Sequence, residues 1–234
     1  MNKNPIICAI DTTNIDEAKA LANGLNGNVG AIKLGLEFFT AHGAKGVKEV
    51  TSSGVPFFLD LKFHDIPNTV AGAVKAATKL GAFMITIHTL GGKEMMKAAV
   101  KAAKEEADKR GIEKPIVLGV TMLTSMDESD LSDIGVSGDI KSQVQRLAEL
   151  AVESGLDGCV CSAHEIEAIR EVTGNELTLV VPGIRPEGSD AGDQKRVMTP
   201  KQAIKEGADY LVIGRPITQA DSPFAAAKEI FESI

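Results

Sequence analysis

Eight short apolar runs, each separated from the next by a longer amphipathic stretch, constrain this chain more than any other feature of it. They cover residues 6–10, 31–34, 56–61, 83–87, 116–120, 158–161, 178–181 and 210–213. Their starts lie on average about 29 residues apart, the length of one strand–helix unit. Runs this short and this continuously apolar suit parallel strands covered on both faces. Eight such units in 234 residues match the size of a (β/α)8 barrel. With no Pro/Ser-rich linker and no shift in composition, the span 1–234 is expected to form a single α/β TIM-barrel domain. The rival is an open, doubly wound sheet. It usually carries a GxGxxG turn after its first strand, where this chain has Ile10-Asp11-Thr12-Thr13.

The intervening stretches read as helices. Ile140, Val144, Leu147, Ala148 and Ala151 share one helical face, and Gly155 stands where a C-terminal cap belongs. Residues 92–110 are rich in Ala, Lys, Glu and Met and stop at Gly111, with Pro115 beyond. Asn14 or Thr13 is placed to cap the first helix and Ser222 the last.

Composition narrows the function classes. The net charge of −7 argues against a general nucleic-acid binder, which needs basic surface to release counterions. It leaves room for a small anionic ligand, because a local cluster of Lys and Arg outweighs a global balance. No Trp and a single Tyr, Tyr210, argue against an aromatic platform for stacking bases or sugars. No stretch approaches the ~18 apolar residues of a membrane span, and the first residues lack the apolar run of a signal peptide. The three cysteines cannot all pair and form no CxxC. Cys159 and Cys161, two apart, are expected as small buried residues on one strand face, against the alternatives of redox or metal roles. A reducing, cytoplasmic setting follows as an expectation.

In a barrel of this kind the site lies at the C-terminal ends of the strands. Those ends carry Asp11 after the first strand, Lys33 in the second, and Asp60-Leu-Lys62-Phe-His-Asp65 at the end of the third. Side chains alternate along a strand, so Asp60 and Lys62 share one face and Leu59 and Leu61 the other, with Asp65 in the turn beyond. Lys33, on a neighbouring strand, can reach them laterally. The alternative is a set of structural salt bridges plugging the barrel end. Charges converging from three consecutive strand ends favour function, since buried charge is costly even when paired.

A second constellation comes late. Val181-Pro-Gly-Ile-Arg185-Pro follows strand seven, and Ile213-Gly214-Arg215-Pro-Ile follows strand eight. Barrels often hold phosphate there, and Arg215 adds a forked, permanently charged donor. Elsewhere a Gly-Arg pair is an ordinary surface turn. Residues 187–196, polar and carrying Gly188, Gly192 and Gln194, read either as a loop closing over a ligand or as a plain solvent loop. Leu123-Thr124-Ser125, after strand five, offers hydroxyl donors above the barrel or a helix cap. His42, His64, His88 and His164 show no ligand spacing such as HExxH. Structural roles are expected for them, and no metal site.

The motif Asp60-Leu-Lys62-Phe-His-Asp65-Ile66-Pro67-Asn-Thr69 resembles the DxKxxDIPxT signature of the orotidine 5′-phosphate decarboxylase family, in its bacterial form. The resemblance extends to Ala9-Ile10-Asp11, Lys33-Leu-Gly35, Leu123-Thr124-Ser125-Met126, Pro182-Gly-Ile-Arg185-Pro and Ile213-Gly214-Arg215-Pro-Ile, with no departure at a motif position. It implies cofactor-free decarboxylation of orotidine 5′-monophosphate to UMP, the last step of UMP biosynthesis. In that reading Lys62 and Asp60 act at the reacting carbon and Lys33 completes the charge network. Asp11 and Lys33 hold the ribose, and Thr124 reads the pyrimidine edge. Arg185, Gln194, Gly214 and Arg215 hold the phosphate. Asp65 and Thr69 reach into a partner's site, which makes the protein a homodimer. The nearest rivals it leaves are the Mg2+-dependent 3-keto-sugar-phosphate decarboxylases and hexulose-phosphate synthases, which share DxKxxD. They carry an acidic metal ligand at the position of Lys33. A non-catalytic phosphate-binding barrel would have no need of a Lys between carboxylates.

Overall fold

The structure, a computed structural model, describes residues 4–186 and 198–234. The parallel strands β1 (Ile6–Ile10), β2 (Ala31–Gly35), β3 (Phe57–Phe63), β4 (Met84–His88), β5 (Ile116–Val120), β6 (Gly158–Val160), β7 (Thr178–Val181) and β8 (Tyr210–Ile213) close into a barrel in chain order. Closure is direct: Ile7 of β1 stands opposite Ala31 of β2 on one side and Val212 of β8 on the other. The closed ring is the expected (β/α)8 barrel and rules out the rival open sheet.

The helices are α1 (Ile15–Leu25), α2 (Leu36–Val50), α3 (Pro67–Leu80), α4 (Lys93–Arg110), α5 (Glu128–Asp133), α6 (Ile140–Glu153), α7 (Ile166–Thr173), α8 (Pro200–Glu206), α9 (Arg215–Thr218) and α10 (Pro223–Glu232). Their ends follow from local chemistry. The Asn14 side chain accepts from the N–H groups of Asp16 and Glu17, and Ser222 accepts from that of Ala225, so each satisfies donors that have no helical partner. Gly111 and Gly155 take positive φ just past α4 and α6, the conformation that turns a chain out of a helix. α2 is two helical pieces joined at Gly43, whose φ of 58° and ψ of −160° lie in a region essentially restricted to glycine.

Both faces of each strand are buried, and this accounts for the unbroken apolar runs. In β1, Ile7 and Ala9 point into the barrel beside Phe58, Met84, Leu118, Val180 and Val212, while Ile6, Cys8 and Ile10 pack outward under the helices. Cys159 and Cys161 are fully buried in that outer layer, and burial pushes the Cys159 thiol up to about 12, out of reach of thiolate chemistry. At Gly158 the strands come so close that a Cβ would lie 2.2 Å from the Thr178 carbonyl oxygen, which only glycine avoids. Phe83 and Tyr210 meet edge to face at 6.1 Å across the floor of the barrel, at the end opposite the strand C-termini. Among the described residues, no helix is long and apolar enough to cross a membrane.

Most strand limits agree with the sequence pattern. β3 differs: it runs to Phe63, two residues beyond the apolar run. Its pairing with β4 goes from Leu59↔Ile85 to Phe63↔Ile87, so Asp60, Leu61 and Lys62 stand against the single residue Thr86. This bulge carries the strand on through its charged residues and re-aims them.

Candidate active site

The C-terminal mouth of the barrel holds a cavity of about 460 Å3. Its walls include Asp11, Lys33, Asp60 and Lys62 on one side and Arg185, Gly214 and Arg215 on the other, with Thr124 between them. In an eight-stranded ring β3 and β7 lie opposite each other, so the Asp60–Lys62 pair and Arg185 face each other across the opening.

The charges on the first side form a continuous chain. Lys33 Nζ lies 3.3 Å from Asp11 Oδ1 and 3.6 Å from Asp60 Oδ2. Strand pairing places Lys33 opposite Phe58 and Gly35 opposite Asp60, so the Lys33 stem climbs one layer to make this contact. Gly35 leaves the space, since a Cβ there would stand 3.2 Å from the Lys33 ammonium. Lys62 Nζ then donates to both oxygens of Asp60, each at 2.9 Å.

Asp60 is buried, and burial, the largest single influence on its carboxyl, would raise its pKa. The Lys33 and Lys62 ammoniums, with hydrogen bonds from Lys62 and Thr86, outweigh that and hold it below the usual carboxylate range. An ionised carboxylate gripping an ammonium at the rim of a cavity can fix a positive charge in space. It can therefore stabilise negative charge that develops in a bound ligand, and the same ammonium can hand over a proton.

Lys62 shares its face with Asp60 as alternation predicts, but by a different route. Its φ is +49°, the only positive value at a non-glycine among the described residues. Its backbone N–H donates to Thr86 Oγ1 at 2.9 Å, and that hydroxyl donates to Asp60 Oδ1 at 2.9 Å. Thr86 was not singled out by the sequence. Its signal is faint: one hydroxyl residue at an inward position of the run Met84-Ile-Thr86-Ile-His88.

On the far side, Gly183 at φ 76° turns the chain after β7, and Arg185 is buried with its Nη1 donating to the Ile184 carbonyl at 2.9 Å. An isolated bridge between Ile184 and Met198 brings together the two flanks of the following segment. Gln194 and the rest of the expected loop 187–196 lie outside the described residues. Arg215 opens α9 directly after Gly214. The helix cap near Thr124 is Asp127, which forms a reciprocal capping pair with Asp130, and Thr124 lines the cavity.

Two expected site residues are not brought into this cavity. Asp65 and Thr69 are exposed beside it, and Asp65 Oδ1 accepts from the Ile66 N–H at 2.7 Å. The expected row of charges thus joins two lysines and two carboxylates within one chain, with the third carboxylate apart. Three of the four histidines make contacts within the scaffold: His42 Nε2 meets the Thr13 carbonyl at 2.7 Å, and His64 stacks on His88 at 5.2 Å. Burial, the nearby His64 and Lys62 push His88 down to about 4, leaving a neutral ring beside the Lys62 charge.

Comparison with known proteins agrees with this geometry. The model of the orotidine 5′-phosphate decarboxylase / HUMPS family matches residues 4–230. The protein named orotidine 5′-phosphate decarboxylase from Rhodospirillum rubrum is 54% identical over 231 residues, covering 98% of this chain and 94% of that one. Its namesake from Paramagnetospirillum magneticum is 53% identical over 227 residues, covering 97% of each. Among solved structures, orotidine 5′-phosphate decarboxylase from Lactobacillus acidophilus superposes with a TM-score of 0.87 at 36% identity, covering 98% of both chains. An uncharacterized conserved protein from Geobacillus kaustophilus gives a TM-score of 0.86 at 34% identity, covering 97% of this chain and 99% of that one.

Proposed function

Because the chain belongs to the orotidine 5′-phosphate decarboxylase / HUMPS family, we propose that it converts orotidine 5′-monophosphate to UMP and CO2, the last step of UMP biosynthesis. The observation that carries this reading is Lys62 Nζ held at 2.9 Å by both oxygens of the buried Asp60, with Lys33 as the next cation in the chain. The family name also covers Mg2+-dependent relatives, and Lys33 separates the two chemistries. An ammonium between Asp11 and Asp60 repels a divalent cation from the carboxylates that would bind it.

The reaction breaks the bond between pyrimidine C6 and its carboxylate. CO2 leaves, and the electron pair stays on C6 with no adjacent carbonyl to spread it. A fixed cation is needed where that charge appears, and Lys62 supplies it together with the proton that completes UMP. Solvent then reprotonates the amine. Asp60, accepting from Lys62 Nζ with both oxygens, keeps it aimed. Arg185, Gly214, Arg215 and Gln194 take the phosphate, Asp11 and Lys33 the ribose, and Thr124 the pyrimidine edge. Phosphate binding, remote from the reacting bond, orients the ring for the chemical step.

The working form is a homodimer in which Asp65 and Thr69 complete the partner's site. Both are exposed and lie outside the single-chain cavity, and large exposed apolar side chains follow β2, β3 and β4. Leu36 is 57% exposed, Ile66 67% and Leu90 41%, and each follows the C-terminal end of one of three consecutive strands, where a second copy can cover them. The span 1–234 acts as one catalytic domain, and its three unpaired, buried thiols support a cytoplasmic location.

Orotidine 5′-monophosphate mixed with the protein and EDTA is expected to lose its orotate absorbance at an undiminished rate. Lys62→Ala lowers that rate at least about a hundredfold. No turnover, or turnover restored only by added Mg2+, overturns the assignment, and near-normal turnover by Lys62→Ala overturns the role of Lys62.

A further inference from the structure

The β3 bulge leaves the Lys62 N–H without its place in the strand ladder, because three residues of β3 face only Thr86 of β4. Thr86 is fully buried, and its hydroxyl fills the gap from the side: it accepts from Lys62 N and donates to Asp60 Oδ1, both at 2.9 Å. A hydroxyl has one hydrogen, so both contacts are satisfied together only while Asp60 is an acceptor and the Lys62 backbone is turned toward β4. That turn is the positive φ of Lys62, a conformation that persists only where the surroundings over-determine it.

We propose that Thr86 is a positioning residue for the decarboxylation, its single hydroxyl locking the β3 bulge in the conformation that sets Lys62 Nζ against both oxygens of Asp60. The inference rests on the role given to Lys62 above. Thr86 lies beneath the cavity rather than on its wall, so it acts through the pair and not on the substrate. It also bears on protonation. Asp60 faces Lys33 from β2, Lys62 from its own strand and His88 from β4, with Asp11 behind Lys33 and His64 behind His88. None of these charges is altered by a change at position 86, whereas the hydroxyl is one of the groups that favour the ionised carboxylate.

Thr86→Val keeps the branched shape and removes the hydroxyl, and Thr86→Ser keeps the hydroxyl and removes the methyl. In the full-length protein Thr86→Val is expected to lower kcat about ten- to a hundredfold, with KM changed less than about threefold because the phosphate contacts are untouched. The acid limb of its kcat profile moves to higher pH, since Asp60 protonates more readily. Thr86→Ser stays within about threefold of wild type with an unmoved profile. Thermal unfolding and circular dichroism establish that each variant folds. Should Thr86→Val not fold, Thr86→Cys against Thr86→Ser gives the same comparison, a weak donor replacing a hydroxyl at nearly equal size. Wild-type kcat and pH profile in the variant lacking the hydroxyl overturn the proposal, as does a loss in Thr86→Ser equal to it, which would mark a packing role. Failure of the decarboxylase reading is seen separately, as absent turnover in the wild type.

Discussion

A side chain at φ +49° is uncommon and costs about 1–3 kcal/mol, so Lys62 is held against its own backbone preference by Thr86 and Asp60. Alternation along a strand is enough to pair Asp60 with Lys62 on paper, because both count inward from the same apolar run. The bulge that makes the pairing real is invisible there: it depends on which β4 residue lies opposite, and that is a long-range property. His88 illustrates how the site couples to stability. Its folded value, about 4, lies below the ordinary 6.5, so the unfolded chain binds the proton first as acid is added. The stability from a neutral His88 is therefore whole above pH 6.5 and is lost as pH falls toward about 4. The Tm of the wild type is expected to fall more steeply across that window than the Tm of His88→Asn. Equal slopes in calorimetry would count against a buried neutral ring.

Among the elements, the strands were the most legible part of the molecule. Burial on both faces writes a parallel strand as an unbroken apolar run, and each of the eight runs became one. The capping residues Asn14 and Ser222 were legible for a related reason, since their side chains answer donors within three residues. The break inside α2 was not. Gly43 sits among ordinary helix formers, and a glycine within a helical pattern reads the same whether the helix continues or kinks. Its ψ of −160° with φ of 58° makes it indispensable all the same. Gly43→Ala is expected to cost about 1–3 kcal/mol, lowering Tm by roughly 2–10 °C. kcat should be unchanged, because the kink does not touch the cavity wall. A Tm within experimental error of wild type would show that α2 straightens at no cost.

For the molecule as a whole, the net charge of −7 describes the solvated surface and not the mouth, where four cations face two carboxylates in one chain. Family motifs name Asp65 and Thr69 as site residues, yet in the single chain both are exposed and neither lines the cavity. The protein is expected to run in light scattering at twice 24.6 kDa, and Ile66→Asp to reduce it to one chain with loss of turnover. Lys62→Ala and Asp65→Ala, each inactive alone, should recover activity when mixed under subunit exchange, since one of the two sites then receives intact residues from both chains. No recovery despite demonstrated exchange refutes the shared site. The Tyr210–Phe83 contact at the barrel floor has an optical consequence. With no Trp and one Tyr, nearly all intrinsic emission comes from Tyr210, which ties β8 to the start of β4. That emission reports whether the barrel is shut and is blind to events at the mouth. The same scarcity leaves the protein almost transparent in the near ultraviolet where a pyrimidine absorbs, so its ligand can be watched directly against a dark background.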